Sequence, residues 1–155
     1  MEGVRPAGSD DLDDLTRLAA EAVAELLPQR GGAMWARTIG RRPPYSEGIG
    51  RALADPDVLV LAGTVHDAVV GDGIEPGHRV ADDATLVVIE DLYTEPGARA
   101  VGVGEAMLET IVAWGTDRGA VGVDAIVLPG ARDTKNFFET FGLKARALVV
   151  HRDLP

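Results

Sequence analysis

Arg99, Gly102 and Gly104 stand together in the run GARAVGVGEA, between an extended stretch and a helical pattern. Their types and spacing suit the holding of an anion. The first N–H groups of a helix have no partner inside it and carry partial positive charge. Glycine at 102 and 104 clears side chains from the approach, so phosphate oxygens can rest on those N–H groups, and Arg99 can add a charge-assisted hydrogen bond. Two better-known phosphate motifs fail here. The dinucleotide fingerprint would need glycine at Met107, and the P-loop needs lysine where Glu105 stands. The glycines alone leave a second reading open, the tight packing of a helix on a strand.

Other residues could do acid–base or recognition chemistry. Glu90 lies in the strand-like run ATLVVIEDLYT, where alternation puts it on one face with Leu92 and Thr94. A half-buried carboxylate there can serve as a general base, directly or through water. The plainer alternative is an exposed or ion-paired strand glutamate. Asp91, on the opposite face, is a weaker candidate. Trp35 and Tyr45 sit in an irregular segment, QRGGAMWARTIGRRPPY, with Arg30, Arg37, Arg41 and Arg42. That basic, aromatic stretch is a candidate acceptor-binding region, or a surface loop with incidental arginines. His66, His78 and His151 show no ligand spacing and cysteine is absent, so no metal site is expected.

The elements that must position these residues follow from periodicity. A short strand is expected at Val4 and Arg5. Ser9 suits an N-cap, and Leu12, Leu15, Ala19, Ala22, Val23 and Leu26 recur at helical spacing over residues 10–27. A short helix over 46–54 ends at Asp55-Pro56. Strands follow from Val58 and over 68–75, joined by a hairpin link at His66-Asp67, and then a loop over 75–83 that includes Asp82-Asp83. One long strand spans 84–94. A helix over 102–118 stops at Gly119, a strand spans 121–128, and a short helix over 132–141 turns Phe137, Phe138 and Phe141 inward. Ala147 to His151 is expected to be a last strand. This order predicts one mixed α/β domain over residues 1–155 around a single sheet.

The composition fits. At 155 residues the chain can bury one substantial core, with 46% apolar and 26% charged residues. No apolar run nears the roughly 18 residues a membrane span needs, and the acidic start MEGVRPAGSDDLDD lacks a signal peptide's apolar core. A cytoplasmic protein without membrane partners is expected. A net charge of −10 argues against nucleic-acid binding and favours cationic ligands, amines among them.

DLYTEPGARAVGVGEAML resembles the acetyl-CoA-binding motif of the GNAT (Gcn5-related) N-acetyltransferase superfamily, in which a strand ending L-Y-V-x-P precedes [RQ]-x-x-G-x-[GA] and a helix. Arg99, Gly102 and Gly104 fill those three positions. TKNFFETFGLKARALVVHRDL resembles the family's closing segment, and the likeness covers most of residues 57–153. It implies a GNAT-like α/β (α+β) fold, with a mixed, mostly antiparallel sheet of about six to seven strands and about four helices. It also implies acetyl transfer from acetyl-CoA, without a metal, to a primary amine on a small molecule, peptide N-terminus or lysine, in a ternary complex. Arg99, Ala100, Val101, Gly102, Val103 and Gly104 would hold the pyrophosphate. Leu92, Tyr93 and Thr94 would pair with the pantetheine arm, and Asn136 would bond its end. A base, with Glu90 the candidate, would take the ammonium proton. The family's frequent dimerisation makes a homodimer plausible. Three departures stand out: Ala100 replaces a glycine, Val101 replaces a frequent basic residue, and Phe138 replaces the tyrosine proposed elsewhere as general acid. Either Tyr45, Tyr93 or water supplies that proton, or the thiolate leaves unaided and catalysis is poor, or the chain is a non-catalytic acyl-CoA-binding or regulatory module.

Overall fold

A computed structural model of the chain describes residues 2–65, 68–79 and 83–155. The His66-Asp67 link and Asp82 lie outside them. The described residues form strands β1 (Glu2–Pro6), β2 (Val58–Val65), β3 (Ala68–Arg79), β4 (Thr85–Ile89), β5 (Asp91–Thr94) and β6 (Ala120–Ala125). The α-helices are α1 (Leu12–Leu26), α2 (Gly32–Thr38), α3 (Tyr45–Ala54), α4 (Val103–Asp117) and α5 (Arg132–Thr140). The sheet runs β1-β2-β3-β4-β6, with β5 attached to β3 beyond the end of β4. Its pairs are antiparallel apart from β4 and β6, which are parallel.

β2 explains the two-sided architecture. Leu59 and Leu61 face one core with Val103, Met107, Leu108 and Ile111 of α4. Val58, Val60 and Ala62 face the other, with Leu15, Leu18 and Ala19 of α1 and Ile49 of α3. A strand covered on both sides reads as an unbroken apolar run, as VLVLAG does. Two glycines let α4 lie close to the sheet. A Cβ at Gly63 of β2 would collide with Val103, and one at Gly115 of α4 would come within 2.8 Å of Val87. The contact at Gly63 fixes the height of the N-terminus of α4 over the sheet.

Several expectations need correction. The segment 29–45 is not wholly irregular, because Gly31 at φ +81° turns the chain into α2, which buries Trp35. Residues 75–79 continue β3 rather than forming loop. The long strand is broken at Glu90, and the helix predicted at 10–27 begins with a 3-10 turn at Ser9–Asp11. Among the described residues the sheet holds six strands, five along one path with β5 branching from β3, and five α-helices stand where about four were expected. Ala147–His151 forms no strand and pairs with no strand among the described residues. Phe138 points inward and is buried, whereas Phe141 is 37% exposed.

Candidate active site

The break at Glu90 has a register origin. Val87 pairs with Gly77 and Asp91 with Ile74. Residues 88, 89 and 90 therefore face only 75 and 76, an extra residue that makes a β-bulge. Up to Ile89 the chain pairs with β6, whose Ala125 is opposite. After the bulge β5 keeps β3 but leaves β6, so the sheet opens between β5 and residues 126–128. A cleft of about 690 Å³ occupies that opening. Leu92, Tyr93 and Thr94 form one wall, Ala125 to Leu128 and α5 another, and the end of α1 with Trp35 a third.

The N-terminus of α4 closes one end. Gly102 sits at its N-cap with φ +87°, and a Cβ there would meet nothing within 4 Å, so the space above it is open. At Gly104 an added Cβ would touch the Phe137 ring at 3.5 Å and Thr94 Oγ1 at 3.9 Å. The N–H groups of Val103, Gly104 and Glu105 begin the helix and lack partners one turn back. Ala100, in the position where glycine is usual, adopts φ +66°, which an L-residue reaches only under strain.

Arg99 is already engaged. Its Nε donates to the Thr94 carbonyl at 2.8 Å and its Nη2 to Glu25 Oε2 at 2.6 Å, with the guanidinium 5.5 Å from the Tyr93 ring centre. Burial first, and then the Glu25 and Glu21 carboxylates, hold the Tyr93 phenol above its usual range. The phenol therefore belongs to the arginine end of the cleft and stays protonated.

At the bulge, Arg41 donates from Nε to Asp91 Oδ2 at 2.5 Å, and its Nη2 lies 4.0 Å from Glu90 Oε2. Its side chain is 13% exposed, and Nη2 is buried without a hydrogen-bond partner among the described residues. Glu90 thus turns toward the guanidinium that Asp91 holds, rather than lying with Leu92 and Thr94 on a common face. The extra residue explains this, since alternation counts only along an unbroken pleat. The Glu90 side chain is 47% exposed. It lines both the main cleft and a recess of about 300 Å³ formed by Ile39, Arg41, Arg42, Tyr45 and Arg51.

The structure thus brings Leu92, Tyr93, Thr94, Arg99, Ala100, Gly102, Gly104, Glu90 and Trp35 to the main cleft, and Tyr45 to the recess beside it. Val103 is buried beneath the loop and Val101 is 45% exposed outside the cleft lining. Asn136 is exposed on α5 and also lies outside that lining. Phe138 is packed into the core on the α4 face. Sequence reasoning missed Glu25, the partner of Arg99, and Gln29, which lines the cleft wall and whose Oε1 is buried without a hydrogen-bond partner among the described residues. Neither carries a spacing signal, because helix α1 reads as an ordinary amphipathic stripe. Among the described residues no group of His, Asp and Glu is arranged to hold a metal.

No family model matches the chain, and no curated protein matches it in sequence. Solved structures do. A mutant protein from Bacillus halodurans superposes with a TM-score of 0.84 at 15% identity, over 99% of each chain. AAC(6')-Iy, in complex with the bisubstrate analog CoA-S-monomethyl-acetylneamine, gives 0.76 at 15% identity over 100% of this chain and 99% of its own. An aminoglycoside acetyltransferase from an uncultured soil metagenomic sample gives 0.71 at 21%, over 100% and 98%. A transcriptional regulator from Bacillus halodurans C-125 also matches, at 0.75 and 17% over 99% and 100%. At these identities the likeness is one of fold: the chain has the GNAT fold.

Proposed function

We propose that the chain transfers an acetyl group from acetyl-CoA to a primary amine within a ternary complex. One observation carries this reading: the sheet splits at the bulge into a cleft that runs from Glu90 to the open N-terminus of α4. An extended ligand arm can add to β5 as a strand would, through the backbone of Leu92, Tyr93 and Thr94. Its diphosphate would then meet the first N–H groups of α4 and the Arg99 guanidinium.

Acetyl-CoA would supply an activated acyl carbonyl and a thiolate leaving group. The rest falls to this chain's residues. Glu90, open to both the cleft and the side recess, would take the ammonium proton directly or through water. A backbone N–H at the bulge would face the carbonyl oxygen as negative charge grows on it. The C–N bond forms as the C–S bond breaks, and water would return a proton to the thiolate. Phe138 is buried and has no proton to give, while the Tyr93 phenol lies by Arg99, at the far end from Glu90. The face of Trp35 would guide the acceptor in the cleft. The recess beside Glu90, with Tyr45 and three arginines, supports an acceptor that bears a carboxylate or phosphate near its amine.

Thermal-shift titration with acetyl-CoA, CoA, NAD and ATP tests the cofactor reading. Stabilisation by the two CoA species alone is expected, and Gly104→Glu should abolish it by setting a carboxylate in the diphosphate site. A larger response to NAD or ATP would overturn the reading. The buried Phe138 favours one alternative, an acyl-CoA-binding module without transfer. Thiol release from acetyl-CoA over a panel of amines separates the two, since the module would bind and never turn over.

A further inference from the structure

One face of α3 builds the recess beside Glu90. Tyr45, Gly48 and Arg51 recur every three residues, so they lie along a single side of that helix. Opposite stands Arg41, mostly buried, with its guanidinium fixed through Nε by the Asp91 carboxylate. Gly48 marks where the two cations converge. Apart from its own helix backbone and chain neighbours, a Cβ there would meet two atoms within 4 Å, Arg41 Nη1 at 3.6 Å and Arg51 Nη2 at 4.0 Å. The bare backbone thus leaves a gap between two guanidinium ends. Arg51 is exposed, and among the described residues no ion pair or side-chain hydrogen bond ties it down. Two like charges facing one gap repel each other until an anion enters it.

Charge selects which anion. Arg41, Arg42 and Arg51 line the recess with Glu90. With Asp91 on Arg41 included, three cations stand against two carboxylates, which leaves one positive charge over. A carboxylate neutralises that charge. A phosphate monoester, with about two charges near neutrality, overfills it and is repelled by Glu90. Position selects the rest of the ligand. Arg41 presents Nη1 to the gap, while its Nη2 lies 4.0 Å from Glu90 Oε2, so one guanidinium spans the distance between gap and carboxylate. A ligand with its amine at Glu90 and its anion over Gly48 therefore has the two groups only a few bonds apart. A peptide N-terminus or a lysine side chain within a protein has no carboxylate so near its amine.

We propose that the acceptor is a small amino acid, its carboxylate held between Arg41 Nη1 and Arg51 Nη2 over Gly48 and its amine at Glu90. This rests on the transfer reading above and adds the substrate class. Transfer gives the N-acetyl amino acid and the CoA thiol, with one net proton released to solvent. The recess, at about 300 Å³, is at the small end of ligand pockets and leaves room for a short side chain.

Thiol release from acetyl-CoA over the common L-amino acids, their carboxamides and aminoalkyl phosphates tests this. The best amino acid should be used about tenfold or more better than its own carboxamide, because hydrogen bonds to charged groups are the strong kind. Gly48→Asp sets a carboxylate into the gap, and Arg51→Gln removes one of its charges. Each should raise the KM for that amino acid about tenfold, move kcat far less and collapse the preference for acid over amide. Calorimetric titration of the same amino acids into the CoA-saturated protein reads the site without turnover: the wild type should bind and Gly48→Asp should not, while both bind CoA alike. Carboxamides used as well as the acids, a preference for aminoalkyl phosphates, or variants that keep the wild-type preference would each overturn the proposal and leave acetyl transfer standing. Amino acid binding without turnover would instead overturn the transfer reading and keep the site, and no binding of any amino acid to the CoA complex would overturn the site itself.

Discussion

Glu25→Gln should tighten acetyl-CoA binding. A diphosphate arriving at α4 must share the Arg99 guanidinium with the Glu25 carboxylate, which holds it at 2.6 Å. The substitution keeps the side chain's size and removes its charge. Two unit charges about 6 Å apart repel by about 0.7 kcal/mol at the dielectric of water and about 3 kcal/mol at an effective value of 20. Arg99 and Glu25 are 44% and 40% exposed, so the watery limit applies. A diphosphate with about two charges doubles the repulsion to about 1.4 kcal/mol, or about tenfold in affinity. At physiological ionic strength, with a Debye length of about 8 Å, about half survives, which leaves about threefold. Loss of the exposed ion pair itself should cost no more than about 1 kcal/mol of stability, and the Thr94 carbonyl still anchors Arg99 through Nε. Calorimetric titration at low and physiological salt should therefore show a gain that shrinks with salt. The Tyr93 phenol should also titrate lower than in the wild type, though burial keeps it above the ordinary range. Weaker binding by the variant would refute the reasoning, because it would make Glu25 a support for Arg99 rather than a competitor.

Three further outcomes follow from the packing. Gly63→Ala should cost about 1–3 kcal/mol, as overpacking does, and should weaken acetyl-CoA binding because Val103 is pushed off β2; thermal melts and titration measure both. Ala100→Gly relieves the φ +66° strain and should raise stability by about 0.5–1 kcal/mol, so a lowered melting temperature would count against that backbone. Asp11 is buried, takes both terminal nitrogens of Arg5 at 2.7–2.8 Å and accepts from the Gly8 N–H. Arg5 chiefly, against the opposing effect of burial, holds its carboxyl below the usual range. Such a group stabilises fully above its unfolded-chain value and stops as pH falls through the lower folded value. Asp11→Asn should thus cost about 1–3 kcal/mol near neutrality, and chemical denaturation should show that gap closing at acid pH.

Much of the architecture was legible in the residues because it rests on local rules. Helical spacing marked α1 and α4, β-branched runs marked β2 and β4, and Gly102 and Gly104 marked a helix start open to an anion. α2 escaped notice because it is seven residues long, and a helix that short depends on burying Trp35 rather than on propensity. The continuation of β3 through Pro76 and Gly77 also escaped, since both residues argue locally against a strand and only pairing, with β2 at Pro76 and with β4 at Gly77, overrides them.

The sequence by itself determined the two-sided α/β core and the glycine turn at the head of α4, for those depend on side-chain type and on the geometry of one segment. Tertiary structure decided the rest. The bulge at Glu90 exists only as a mismatch of register between two strands, and with it came the cleft, the turning of Glu90 toward Arg41 and the recess near Tyr45. Glu25 and Gln29 became site residues because α1 crosses the end of β5. Val149 and Val150 read as a strand in sequence, but a strand needs a neighbour, and among the described residues they have none.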